Sequence, residues 1–204
     1  MTRSYDMSTR SQGAQATRLR IIEAAHRLLG RPDGGSLSLQ EVAAEAGISR
    51  ATIYNRVGTR RDLLTAVFED QGRLIGYDRV LAAMNLSDPS EAVAETVREG
   101  CRAWEVIPDA IRRTLALAAL DEEIGELVAQ FEAYRHSEIE RLADRARPAA
   151  ANDPWAENRS DALSLITSFR AYDHLRTTQK PDQAMRVLTQ LASATLNLFP
   201  PIAG

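Results

Sequence analysis

The segment 38–57, SLQEVAAEAGISRATIYNRV, constrains the fold more than any other part of the chain. Ser38 and Glu41 have the spacing of a capping box, in which each side chain accepts a hydrogen bond from the other residue's backbone. Gly47 stands where the chain must turn, because glycine adopts a positive φ without a steric cost. Ser49 then has the position of a cap for another helix. Two short helices joined by a glycine turn predict a helix-turn-helix.

The second helix of this motif presents a polar outer face. At about 100° per residue, Ile53 faces the core while Ala51 and Asn55 point outward, with Thr52 and Tyr54 to either side. Alanine can touch a thymine methyl group, asparagine can pair with adenine, and hydroxyls can reach phosphates. The alternative for Tyr54 is a buried structural role. We predict a surface for duplex DNA, and its predicted contact residues are Arg50, Ala51, Thr52, Tyr54, Asn55, Arg56 and Arg60.

A second capping pattern follows directly. Thr59 and Asp62 have the spacing of a helix start, and Arg60 and Arg61 lie between them. A helix N-terminus with unpaired N–H groups and nearby arginines favours phosphate. The sequence therefore predicts a phosphate clamp here, and the alternative is a pair of solvated arginines.

Charge is divided unevenly along the chain. Residues 1–61 carry a net charge of +5 and residues 62–204 carry −8, which together make the total of −3. Only the basic part is expected to meet phosphate. The chain has no apolar run of about 18 residues and no apolar N-terminal segment, which predicts a soluble, cytoplasmic protein without membrane contact.

Apolar residues recur at helical spacing along most of the chain, and strand-like alternation is missing from the sequence. This pattern predicts an all-α fold of about nine helices. The predicted helices span about 16–30, 38–47, from 49, from 59 past Gly72, 89–104, 108–120, around 124–142 and ending before Pro148, 155–178 and 181–199.

The stretch 20–64 resembles the DNA-binding domain of the tetracycline-repressor (TetR) family of bacterial regulators. The residues that carry the resemblance are Ile22, Ala24, Ala25, Leu28, Val42, Ala43, Gly47, Ile48, Ser49, Thr52, Ile53, Tyr54, Val57, Arg60, Leu63 and Leu64. Asn55 and Arg56 stand where family members often have an aromatic residue and histidine, so the base preference of relatives does not transfer.

We predict three regions, of which the resemblance implies the second and the third. These are a flexible N-terminal arm at 1–15, a helix-turn-helix DNA-binding domain at 16–62, and a helical ligand-binding and dimerisation domain at 63–204. The arm could enter a minor groove, although simple disorder is favoured.

The resemblance also implies a function: a sequence-specific transcriptional regulator, expected to be a repressor that a small-molecule effector releases from a palindromic operator. Members are usually homodimers joined by their last two helices, here about 155–178 and 181–199. Candidate effector-binding residues, each with a plain core role as its alternative, are Trp104, Phe131, Tyr134, Phe169, Tyr172 and His174. Polar candidates beside them include Arg112 and Arg113.

Catalysis has little support in the sequence. No Ser/His/Asp arrangement, phosphate loop or dinucleotide motif occurs, and no cofactor is expected. Glu132, His136 and Glu140 share a helix face, for which a solvated surface is favoured over a metal site. The single cysteine, Cys101, is expected to be a small core residue, with a redox-sensing thiol as the alternative. A helical interaction protein without DNA affinity, and an enzyme, remain the alternative functions.

Overall fold

The structure is a computed structural model, and it describes residues 3–31, 37–146 and 156–198. The described residues form eleven helices and no strand, which confirms the all-α prediction. The helices are α1 (Arg3–Leu29), α2 (Leu39–Ala46), α3 (Arg50–Arg56), α4 (Arg60–Leu74), α5 (Tyr77–Met84), α6 (Pro89–Trp104), α7 (Pro108–Ala118), α8 (Glu122–Ala146), α9 (Ala156–Ile166), α10 (Phe169–Arg176) and α11 (Pro181–Leu198). None of the helices in these ranges is long and apolar enough to cross a membrane.

One helix boundary differs from the prediction in the first half of the chain, and one helix was not predicted. The first helix, predicted to begin near residue 16, begins at Arg3, and no proline interrupts its backbone hydrogen bonds. The helix predicted to run past Gly72 does so and ends at Leu74, and Gly76 has a φ of 68° at the start of the separate helix α5, which the sequence did not predict. A left-handed residue cannot continue an α-helix, so Gly76 divides the two.

The prediction of a single helix over 155–178 is wrong, because the helix is interrupted between α9 and α10. Thr167 Oγ1 donates to the carbonyl oxygen of Leu163 at 2.7 Å. Ser168 then takes an extended conformation, and its Oγ accepts a hydrogen bond from the Ala171 amide at 3.2 Å. A serine that caps a new helix ends the old one, since its backbone has left the helical region.

The chain forms two compact units. The first comprises Met1–Gln71 and Asp109–Val128, and the second comprises Gly72–Pro108 and Ala129–Gly204. The core of the first unit draws on α1 to α4 and α8; its fully buried residues include Ile21, Val42, Ile53, Leu63, Leu64 and Val67. The core of the second unit includes Val93, Cys101, Ile139, Leu163, Tyr172 and Leu188. The division into an arm at 1–15 and domains at 16–62 and 63–204 stays a prediction.

Candidate nucleic-acid interface

Helix α2 is fixed at both ends by the residues that the sequence pattern singled out. The Glu41 amide donates to Ser38 Oγ at 3.2 Å, and the Ser38 amide donates to Glu41 Oε2 at 2.9 Å. These two bonds confirm the capping box and satisfy two of the backbone donors that a helix start leaves unpaired. At the other end, Gly47 has a φ of 64°, and the Ile48 amide donates to the carbonyl oxygen of Ala43 at 3.0 Å. The glycine turn that aims α3 is therefore locally determined.

Arginines of α1 and of the turn after it hold the C-terminal end of α2, and this role was missed from the sequence. Arg20 donates to the carbonyl oxygen of Ala46 at 2.8 Å, which is a favourable place for a cation because helix C-termini carry partial negative charge. Arg27 and Arg31 each donate to the Glu45 carboxylate at 2.7 Å. The hydrogen bond from Arg27 is the main reason why the pKa of Glu45 lies below its usual value. The spacing of 14 to 26 residues between partners gave no helical-periodicity signal.

Helix α3 is short and is anchored by one side chain. Ser49 caps it, with Ser49 Oγ accepting from the Thr52 amide at 3.1 Å. The Thr52 hydroxyl lies 2.8 Å from Ser49 Oγ, so it is already engaged in a hydrogen bond. Ile53 is fully buried and is the one buried residue of the helix. The orientation of α3 therefore depends on its cap, on Ile53 and on the half-buried Val57 behind it.

The outer face of α3 is open to solvent, as the helical angles predict. Tyr54 is 61% exposed, which excludes the alternative of a buried structural tyrosine. Arg50, Ala51, Asn55 and Arg56 are exposed as well. Among the residues that the structure describes, neither Arg50 nor Arg56 is in an ion pair with a carboxylate. This face combines two unpaired cations, an amide, a phenol and a small methyl group, which are groups suited to phosphates and base edges.

The start of α4 has the second predicted cap. The Thr59 amide donates to Asp62 Oδ2 at 2.7 Å, and the Asp62 amide donates to Thr59 Oγ1 at 3.2 Å. The hydrogen bonds from Thr59 hold the pKa of Asp62 below its usual value. Gly58, with a φ of 104°, leaves the space that the Asp62 carboxylate fills, since a Cβ there would collide with it. The backbone N–H groups of this helix start are thus partly satisfied by Asp62.

Arg60 is the one predicted DNA-contact residue that lies outside α3, and its guanidinium is occupied. Its Nη1 and Nη2 donate to the two oxygens of Asp121 at 3.1 and 2.6 Å, and Nη1 also donates to Glu123. Arg61 Nη1 likewise donates to Glu126 at 2.5 Å. Both arginines thus have carboxylate partners, and the Arg61–Glu126 pair is exposed to solvent. A phosphate contact by Arg60 stays a prediction, and it requires Arg60 to exchange partners.

Burial and ion pairing act in opposite directions on this cluster. Burial alone lowers the pKa of Arg60, but hydrogen bonds to Asp121 and Glu123 raise it above its usual value overall. Burial likewise raises the pKa of Asp121, and the hydrogen bond from Arg60 outweighs it, so that the pKa is lowered. Both groups are thus charged at neutral pH. Sequence reasoning missed the cluster because its partners are separated by more than 60 residues.

The candidate effector-binding residues fall into two sets in the second unit. Three aromatic rings meet: the Trp104 centroid lies 6.2 Å from Phe169 and 5.5 Å from Tyr172. The Tyr172 hydroxyl donates to Glu105 at 2.8 Å, and Arg176 Nε donates to the same carboxylate oxygen at 2.9 Å. This cluster, Trp104–Phe169–Tyr172, is mostly apolar with one polar edge, and Tyr172 is buried in the core of the second unit.

The other candidates lie elsewhere in the second unit. Phe131 contacts Tyr77, with ring centroids 5.4 Å apart. Phe131, Tyr134 and His174 are exposed. By contrast, the polar candidate Arg112 lies in the first unit, where it pairs with Asp109 at 2.5 Å. Periodicity could predict that these aromatic residues lie on helices, but it could not predict which of their rings are in contact.

Cys101 is buried, and burial raises the pKa of its thiol to about 12. A thiol that stays protonated is a poor redox sensor, so the core role is favoured. His136 Nε2 lies 3.9 Å from Asp161 Oδ1. Within the described ranges, no three histidine, cysteine or acidic side chains are grouped so as to hold a metal ion.

Comparison with known proteins places the interface in a family context. The model for bacterial regulatory proteins of the tetR family matches residues 21–67, which include α2, α3 and the first half of α4. An uncharacterized HTH-type transcriptional regulator of Mycobacterium tuberculosis is 32% identical over 78 residues, covering 38% of this chain and 39% of the relative. The chain thus spans well under half of that relative in the alignment.

Similarity also extends beyond the N-terminal segment. The HTH-type transcriptional regulator BetI of Agrobacterium fabrum is 24% identical over 159 residues, covering 76% of each chain. Among solved structures, a candidate fatty acid metabolism regulator of Clostridium perfringens superposes with a TM-score of 0.64 at 16% identity, covering 86% of this chain and 97% of that one. At this identity the structural match concerns the fold.

Proposed function

We propose that this chain is a regulator of the tetR type, a dimeric, effector-responsive repressor whose helix α3 reads operator DNA in the major groove; the match of residues 21–67 to the tetR-family model and the similarity to BetI support the proposal. The observation that carries the proposal is the outer face of α3. Its exposed residues face away from the single buried anchor, Ile53, and contribute nothing to the core of the first unit. Polar groups without a structural role on a short exposed helix are available for a partner.

Each exposed residue has a role that its chemistry supports. Asn55 pairs with adenine through two hydrogen bonds, and Arg50 is long enough to reach guanine. The small side chain of Ala51 lets the helix approach the groove floor and can contact a thymine methyl group. Tyr54 and Thr52 bind phosphates on the two walls, which fixes the register of the helix without reading sequence. Arg56 adds charge to the backbone contacts.

A homodimer suits this mode of reading. Two recognition helices must be about 34–36 Å apart to enter successive major grooves, so a palindromic operator requires two copies of α3. Exposed leucines near the C-terminus support self-association: Leu165 of α9 is 68% exposed and Leu191 of α11 is 48% exposed. We therefore place the dimer interface on α9 to α11, the segment in which the sequence predicted the last two helices.

The effector site is proposed for the aromatic cluster Trp104–Phe169–Tyr172. An effector bound there favours a conformation in which α4 shifts and the separation of the two copies of α3 changes. The change in operator affinity can be no larger than the difference in effector affinity between the two conformations. Glu105 and Arg176, which meet at the Tyr172 hydroxyl, are the polar groups that would orient the effector.

The deciding experiment measures binding to the DNA that flanks the protein's own gene. We expect tight binding at low salt, with an affinity that falls steeply as salt rises because phosphate contacts release counterions. A duplex of the same composition in scrambled order should bind more weakly by about 10³-fold or more. Sedimentation of the same samples should give twice the 22.5 kDa mass of one chain.

Three results would reject the proposal in separate parts. Failure to bind any duplex at low salt, or a salt dependence near zero, rejects DNA binding. Equal affinity for flanking and scrambled duplexes rejects sequence reading. A particle of 22.5 kDa at micromolar concentration rejects the dimer.

A further inference from the structure

Four arginines lie at the ends of α3 and at the start of α4, and they form two pairs that differ in their contacts with acidic side chains. Arg50 and Arg56, at the ends of α3, are exposed and have no carboxylate partner among the residues that the structure describes. Arg60 and Arg61, at the start of α4, each donate to acidic side chains of α8 or of the residue before it. The two pairs are only a few residues apart in sequence, so the difference does not come from their position along the chain.

The contact of Arg60 is the more complete of the two ion pairs. Two of its nitrogens meet two oxygens of Asp121, and a third contact goes to Glu123. The side chains of Arg60 and Asp121 are each 22% exposed, whereas both partners of the Arg61–Glu126 pair are more than 40% exposed. A partly buried, forked pair is screened less by solvent than an exposed single contact.

The carboxylates present to Arg60 the same geometry as a DNA phosphate. A guanidinium fork fits two oxygens on one centre, and it does so equally for carboxylate and phosphate. Asp121 is held in place from its other side, because its Oδ1 also accepts a hydrogen bond from the Ile124 amide at 3.2 Å. The start of α8 thus keeps an anionic site in front of Arg60.

We propose that Asp121 and Glu123 act as an intramolecular substitute for a DNA phosphate, holding Arg60 in the unbound protein and releasing it to the DNA backbone on binding. The proposal rests on the proposed DNA-binding function and adds a control on its strength. Every duplex must displace the two carboxylates to gain the Arg60 contact. Affinity for DNA of any sequence is lowered, while the base contacts made by α3 are unaffected. The acidic pair thus lowers the occupancy of operator and bulk DNA alike and leaves the ratio of their affinities unchanged.

The test neutralises the two carboxylates while keeping their shape. The variant Asp121→Asn/Glu123→Gln retains an oxygen at position 121 for the Ile124 amide, so the helix cap survives. We expect it to bind a scrambled duplex about three to ten times more tightly than the wild type. The salt dependence should steepen by about one phosphate contact. Combining these changes with Arg60→Ala should abolish the gain, because Arg60 is the group released.

A matched control separates this exchange from a general effect of charge. Asp109→Asn/Glu122→Gln also removes two negative charges from the first unit, but at other positions. Glu122 adjoins Glu123 at the start of α8. Asp109 pairs with Arg112 and Glu122 is exposed, so neither holds Arg60. We expect this control to change the affinity less than about twofold. Circular dichroism verifies that each variant is folded, and the single variants Asp121→Asn and Glu123→Gln carry the same test if the double variant is not.

The proposal is overturned if the neutralised variant binds the scrambled duplex no more tightly than the wild type. It is also overturned if the gain persists with Arg60→Ala, or if the control variant gains as much. In each of these cases the wild type still binds DNA, so the proposed function stands. If the wild type binds no duplex at low salt, the proposed function and this inference fail together.

Discussion

Helices α3 and α4 start ten residues apart, yet they use their polar residues in opposite ways. Helix α3 has seven residues, one of them buried, and its outer face has no carboxylate partners among the described residues. Helix α4 has 15 residues, five of them buried, and its first arginines are engaged by Asp121, Glu123 and Glu126. The first unit therefore folds without help from the outer face of α3. Substitutions there should change DNA binding and spare stability, whereas those at α4 should affect both.

The largest effect is expected at Ile53, where α3 depends on a single anchor. Ile53→Ala deletes buried methyl groups and leaves a cavity, and we expect a loss of about 2–5 kcal/mol in the free energy of unfolding. Denaturant unfolding followed by circular dichroism measures it. DNA binding should fall with it, because α3 loses its fixed orientation.

Tyr54→Ala is the matched control on the same helix. Tyr54 is exposed, so its removal should change the free energy of unfolding by less than about 0.5 kcal/mol. An equal loss of stability in both variants would contradict the division of α3 into a buried anchor and an outer face without structural role.

The next effect is expected at Asn55, on bases rather than on stability. Asn55→Ala removes a side chain that can pair with adenine, and we expect a loss of about 1–3 kcal/mol in operator binding at one base pair of each half-site. Competition against operators substituted at each position should locate that base pair. Affinity for a scrambled duplex should be unchanged. A uniform loss over all duplexes would instead assign Asn55 to the DNA backbone.

These two residues also show what the sequence could predict. The burial of Ile53 and the exposure of Asn55 follow from the 3.6-residue period, the Ser38–Glu41 cap and the turn at Gly47, all of which are local. The division between α9 and α10 was missed because the Ser168 cap lies inside an otherwise helical pattern. Local sequence patterns predict which face of a helix is buried. They predict where a helix ends only where one capping or turn signal dominates.

Pairings between distant segments were outside the reach of periodicity. The bonds from Arg60 to Asp121 and from Arg20 to Ala46 join residues that only the folded chain brings together. The aromatic cluster is a similar case, since Trp104 meets Phe169 and Tyr172 while Phe131 meets Tyr77. The polar face of α3 could be recognised because one short helix contains it. The ion pairs of Arg60 and Arg61 could not be recognised, because their acidic partners lie on α8 or just before it.

The smallest expected effects on DNA binding come from Arg56→Ala and Arg60→Ala, which remove one arginine each from α3 and α4. Arg56 has no carboxylate partner in the described part of the first unit, so its removal should weaken binding to every duplex by about 1 kcal/mol and reduce the salt slope by about one. Arg60 must first leave Asp121 and Glu123, so Arg60→Ala should weaken binding less. It should also destabilise the fold by about 1 kcal/mol, because Asp121 is left partly buried without its cation. If Arg60→Ala instead weakens binding more than Arg56→Ala, with no change in stability, then the carboxylates do not compete with DNA for Arg60.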